Sequence, residues 1–99
     1  MIVKMTIEEL KKSGRLKEIH DSAYREVSGA LFSYYAGEKQ PEIKKALAHI
    51  QNDSYFEIIP MYYRNHMTIE KIAEYFGCEV STITRNKKRL CVMMWEYSM

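Results

Sequence analysis

Residues 68–90, TIEKIAEYFGCEVSTITRNKKRL, leave little choice of local structure. Ile69, Ile72, Ala73 and Phe76 recur at steps of three and four, which places them on one face of a helix. Thr68 precedes them as an oxygen-bearing N-cap, and Glu70 suits the positive end of the helix dipole. Gly77 stops the helix, because glycine takes the left-handed conformation at little cost. A second helix follows from about residue 80 to about residue 97, with Val80, Ile83 and Leu90 expected to face inward. Two helices so close in sequence must cross, and small Ala73 stands four residues before the glycine, where the second helix would pass. Ile83, six residues after it, is the apolar anchor that would set the crossing angle.

Helical spacing dominates the rest of the chain, and an all-α fold is expected: a small helical domain with an N-terminal amphipathic helix and a C-terminal helix-turn-helix. Thr6 and Glu9 form a capping box that opens a helix, with Gly14 as an interruption. From Leu16, the positions Ile19, Ala23, Val27, Ala30, Leu31 and Tyr34 line one face of a helix ending near Gly37, with Gly29 a weak point within it. Residues 37–41 read as a linker, and Pro41 suits the first turn of the next helix, in which Ile43, Leu47 and Ile50 share a face. Asn52, Asp53 and Ser54 form a break. Ser54 and Glu57 make a second capping box, predicting a helix through Tyr55, Ile58, Ile59, Tyr62 and Tyr63 that Pro60 must kink or split. The organisation that follows is an N-terminal helical region over residues 1–52, for packing or oligomerisation, and a helix-turn-helix region over residues 53–99.

A chain of 99 residues with 46% apolar residues can form one small core, and its charged fraction is too evenly split by sign for disorder. The formal charge of +2 says less than its distribution. Residues 80–92 contain Arg85, Lys87, Lys88 and Arg89 and no acid, and a local patch of this kind is what a polyanion meets. Cys78 and Cys91 have neither CxxC nor His/Cys spacing, so reduced, structural thiols are expected and a zinc site is not. His20, His49 and His66 are scattered without metal spacing. No apolar run approaches the ~20 residues of a membrane helix, and Lys4, Glu8 and Glu9 interrupt any leader-like stretch. A cytoplasmic protein without cofactor is the expectation. No nucleophile–base pair, metal cluster or glycine-rich phosphate loop points to an enzyme.

The helix-turn-helix and the basic run together predict binding to double-stranded DNA through the major groove. Arg85 is the first candidate for reading a base, because its guanidinium fork matches guanine O6 and N7. Ser81, Thr84 and Lys88 share its face; Thr82 is assigned to phosphate contact or partial packing. Lys87 and Arg89 are expected on the flanks, binding phosphates and setting register. The Thr68 end of the first helix offers N–H groups to a further phosphate. The plainer reading of the basic run is a solvated helix face. The eight tyrosines read as packing rather than base stacking, because they lie at helical spacing beside Ile and Leu. The apolar end LCVMMWEYSM predicts packing onto the N-terminal helices, the alternative being a subunit contact in a homodimer.

The stretch YYRNHMTIEKIAEYFGCEVSTITRNKKRL resembles the fourth region of bacterial sigma factors, which reads the −35 promoter element. It is more similar to small phage and prophage regulators of the ArpU type, in which a tyrosine-rich segment like YFEIIPMYY precedes the DNA-binding unit. The resemblance covers roughly residues 53–92 and implies transcriptional control of phage genes, with RNA polymerase as a further partner. Two positions depart from the pattern. Glu79 stands where such helices often carry a serine or aspartate cap, and polar Asn86 stands where the sigma-factor helix has an apolar anchor. The other readings are a phage DNA-packaging protein of the terminase small-subunit kind, and a protein-interaction module that contacts RNA polymerase.

Overall fold

The computed structural model describes residues 16–98, and within them the protein is all-helical. Four α-helices follow in order: α1 (Leu16–Tyr35), α2 (Pro41–Ile50), α3 (Ile69–Phe76) and α4 (Val80–Ser98), with a π-helical turn at Pro60–Arg64 between α2 and α3. The capping box at Thr6 and Glu9, and Gly14, lie outside the described residues.

In α1, Ala23, Val27 and Leu31 recur every four residues and are buried, so the apolar stripe read from the sequence is the packed face. Gly29 sits in the unbroken helix. The chain leaves α1 through Gly37, whose φ of 107° lies in the left-handed region. There Gly37 N–H and Glu38 N–H donate to the carbonyls of Tyr34 and Ser33. Pro41 opens α2, which buries Ile43, Ala46, Leu47 and Ile50.

The helix expected from Ser54 begins later, at Ile58, and runs through Pro60 to Arg64. Residues 51–57 are turns, and the Asp53 carboxylate, rather than Ser54, takes the free amide, accepting from Tyr55 N–H at 2.9 Å. The Phe56, Ile58 and Ile59 amides then bond three residues back, to Asp53, Tyr55 and Phe56, a tight winding that passes into α-helix at Ile58 and Ile59, where Met61 N–H bonds four residues back to Glu57. Pro60 does not split the segment but widens it. Lacking an N–H, it begins a wider turn in which its carbonyl accepts from Asn65 N–H, five residues on. This turn drives Tyr63 into the core at 1% exposure. His66, just beyond it, holds φ 54° and stacks nearly parallel to the Phe32 ring.

Thr68 and Gly77 bound α3 as expected. The Thr68 hydroxyl accepts from Lys71 N–H, and Gly77 at φ 67° caps the carboxyl end, its N–H directed at the Ala73 and Glu74 carbonyls. Ile72, Ala73 and Ile83 close one core cluster with Ile58 and Met61, which fixes α3 against the start of α4. A larger cluster joins Val27 and Leu31 of α1, Leu47 and Ile50 of α2, Tyr63, and Leu90, Cys91 and Met94 of α4. The apolar carboxyl end of α4 therefore packs within the chain, against α1 and α2. Val80 is the exception to the inward face predicted for α4: it is exposed, while Ile83 and Leu90 are fully buried.

Candidate nucleic-acid interface

The interface expected from the sequence is α3, the turn at Gly77 and the first turns of α4. Residues of α4 from Leu90 onward are clamped between α1 and α2, whereas the first turns touch the fold chiefly through Ile83 and the α3 cluster. This leaves Ser81, Thr84 and Arg85 exposed. Thr84 donates its hydroxyl to the Val80 carbonyl at 3.1 Å, so an oxygen lone pair still faces outward. Thr82 is half-buried, and its carbonyl accepts from the Asn86 amide at 2.8 Å. Arg85 makes no hydrogen bond or ion pair among the described residues. Thr68 is exposed, and its hydroxyl is occupied by the Lys71 amide at 3.2 Å.

Beyond Arg85, part of the basic run does not sit where the sequence placed it, and the rest is paired with acids. Lys87, expected on a phosphate-binding flank, is buried at 6% exposure. Its Nζ lies 3.7 Å from the centre of the Tyr62 ring and 5.6 Å from that of Tyr24. Two electron-rich ring faces thus replace part of the water lost on burial. Lys88 pairs with Asp21 of α1. Arg89 grips Asp53 in the turn after α2. For Lys87 the reason is geometric. Successive residues turn by ~100° around a helix, so Lys87 falls about 200° from Arg85 and cannot share its face.

Both pairings shift the acids in the same direction. The hydrogen bond from Lys88 holds the Asp21 carboxyl below its ordinary value, and the hydrogen bond from Arg89 does the same for Asp53. Arg89 is raised in turn by Asp53. These contacts were legible only in part. Ile83, Lys87, Leu90 and Met94 are spaced four, three and four, so the core stripe itself runs through Lys87. Nothing local in the sequence marks Asp21 or Asp53 as partners 67 and 36 residues away.

Asn86 serves where an apolar anchor was expected. Half-buried, it donates to the Thr82 carbonyl and accepts from Arg89 Nε at 2.9 Å, linking the exposed first turns to the clamp behind them. A shallow groove of about 360 Å³ runs along this side of α4, lined by Arg85, Lys88, Arg89, Val92, Met93 and Glu96, with His20 of α1 across it. His20 Nε2 lies 3.7 Å from the Glu96 carboxylate, beyond hydrogen-bond length.

Burial raises the Cys91 thiol to about 11, so it is a packed apolar group beside Tyr63 and not a reactive one. Cys78 is half-buried on the smaller cluster, and both cysteines are free thiols. Among the described residues no group of three His, Cys, Asp or Glu could hold a metal ion, and no helix is long and apolar enough to cross a membrane. Most tyrosines pack on the core, but Tyr75 and Tyr97 are exposed. No family model matches the chain, and neither does any curated protein or solved structure.

Proposed function

We propose that the chain binds double-stranded DNA with sequence preference through α3, the Gly77 turn and the start of α4, as a cytoplasmic transcriptional regulator of the phage type. The observation that carries this reading is the division of α4. Its carboxyl half is packed against α1 and α2, and its first turns present Ser81, Thr84 and unpaired Arg85 to solvent. A recognition helix needs both: a fixed angle, and a polar amino-terminal end that reaches base edges. Arg85 is the base-reading residue, Ser81 and Thr84 are its neighbours on the surface, and the Thr68 end of α3 faces a phosphate. Lys87, Lys88 and Arg89 hold the recognition helix in place.

A second reading rests on Tyr75 and Val80, large apolar side chains left exposed on either side of the Gly77 turn. They favour contact with a protein surface at the same corner, RNA polymerase being the partner that the sigma-factor resemblance implies. Selection of binding sites from a random duplex pool, repeated with Arg85→Ala, tests the first reading. One enriched motif, blurred at a single base pair by the substitution, is the expected result. Absence of enrichment with either protein would overturn it. Enrichment that appears only when polymerase is added would favour the second.

A further inference from the structure

A separate cleft of about 650 Å³ opens at the corner between α1 and α2, lined by the α1 end, the residues of the 37–41 connection, Lys44 and Arg64. It shares no residue with the exposed surface of α4. Its chemistry differs from that of the basic run in one respect. Lys39, Lys44 and Arg64 are exposed and make no ion pair among the described residues, whereas Lys88 and Arg89 are each held by an acid. Arg64 gives its Nε to Asn65 at 3.2 Å and keeps both Nη groups for another acceptor. Glu38 is the single acid among the lining residues, so three cations face one anion.

The wall beside these charges is aromatic. Tyr34 and Tyr35 meet edge to face, with ring centres 5.1 Å apart, and both are half-buried. The Tyr35 hydroxyl, like any tyrosine at neutral pH, is an uncharged donor that does not repel an anion, and burial raises it further. Gly37, at φ 107°, turns the chain into the cleft without a side chain to fill it.

We propose that this cleft binds a nucleoside phosphate, with the phosphate among Lys39, Lys44 and Arg64 and the base against Tyr34 and Tyr35. The volume falls in the range of small-molecule sites and is far larger than a lone inorganic anion needs. Flexible ammonium groups and a guanidinium fork are what phosphate oxygens accept from, and tyrosine rings stack on a planar base without regard to its identity. Because Arg64 ends the π turn that leads into α3, the ligand would bridge the α1–α2 corner to the helix-turn-helix.

Titration of the whole chain with AMP, followed by amide resonances and equilibrium dialysis, tests the proposal. Adenosine and inorganic phosphate serve as the two half-ligands, and Lys44→Glu/Arg64→Glu as the variant. The expected result is saturable AMP binding that shifts residues 34–44 and 64. Each half-ligand should bind about tenfold more weakly or worse, and the variant should lose about tenfold in affinity. Thermal stability of the natural chain should rise with AMP concentration. Lys39→Glu/Lys44→Glu, which leaves the π turn untouched, gives the same readout if the first variant folds poorly. Absence of binding at millimolar AMP, shifts confined to other residues, or equal affinity in the variants would overturn the proposal. So would variants that weaken duplex DNA binding in a protein that never binds AMP, because the cations would then be contacts to the DNA backbone.

Discussion

The Arg89 guanidinium holds the Asp53 carboxylate through two bonds, Nη1 to Oδ2 and Nη2 to Oδ1, each 2.9 Å long. Asp53 also accepts from the Tyr55 amide, so one carboxylate fastens α4 and stops the chain from continuing as a helix after α2.

This pairing makes part of the stability depend on pH, with a definite sign. Arg89 depresses the Asp53 carboxyl in the folded state, and Lys88 does the same to Asp21. A depressed carboxyl stabilises the fold fully above its unfolded value, near 4, and the contribution is lost as pH falls through the lower folded value. Melting temperature should therefore fall as pH drops below about 4, and fall less steeply in Asp53→Asn. At pH 7 the bidentate but partly exposed pair should contribute only about 0.5–1 kcal/mol. Equal acid slopes for the two proteins would show that the clamp does not couple to folding.

Lys87 is the position where a change of charge should do the most damage. Lys87→Met keeps the stem between Tyr62 and Tyr24 and loses the cation–π contact, an expected cost of about 1–2 kcal/mol. Lys87→Glu buries a carboxylate against ring faces that repel it and should cost more than about 3 kcal/mol. Urea denaturation of both variants checks the order. If the two were equally stable, the lysine would have to reach solvent in the folded protein.

The contrast between Lys87 and Ile83 marks how far the sequence could be read. Periodicity placed Ile83 and Leu90 in the core, and cap chemistry placed Thr68, Gly77, Gly37 and Pro41 at helix boundaries, because each of these is a local property of the chain. Lys87 lay on the same stripe but was assigned by its charge, and charge does not fix direction on a helix. The helix read from Ser54 starts late, at Ile58, for a related reason: Ser54 and Glu57 satisfy a local motif, yet Asp53, held from 36 residues away by Arg89, accepts the free amide instead. Exposure of Val80 likewise depends on where α3 ends and not on the spacing within α4.

Gly77 lies at φ 67° with open space where a β-carbon would stand, so its substitution isolates a backbone effect. Gly77→Ala meets no atom within 4 Å and should still cost about 1 kcal/mol, from the left-handed conformation alone. Gly77→Asn should recover part of that loss, because asparagine tolerates the region better. Denaturant midpoints for the three proteins provide the comparison. A neutral alanine variant would mean that the turn readily adopts another conformation.

The salt dependence of DNA binding should separate Arg85 from the rest of the basic run. Each phosphate neutralised by a cation contributes about −0.9 to the slope of log affinity against log salt. Four free cations would give a steep slope, but Lys87 is buried and Lys88 and Arg89 are held by Asp21 and Asp53. The natural protein should therefore show a shallower dependence than its sequence suggests. Lys87→Met should bind DNA with an unchanged slope, since that charge never faced the polyanion. Arg89→Gln should weaken binding only as far as it loosens α4, with the slope again intact. Arg85→Ala should lower affinity for the selected motif by about 1–3 kcal/mol and leave binding to random duplex much less affected. Fluorescence anisotropy at four salt concentrations resolves these cases. A slope that flattens in the Lys87 and Arg89 variants, but not with Arg85, would mean that DNA draws those side chains out of their internal partnerships.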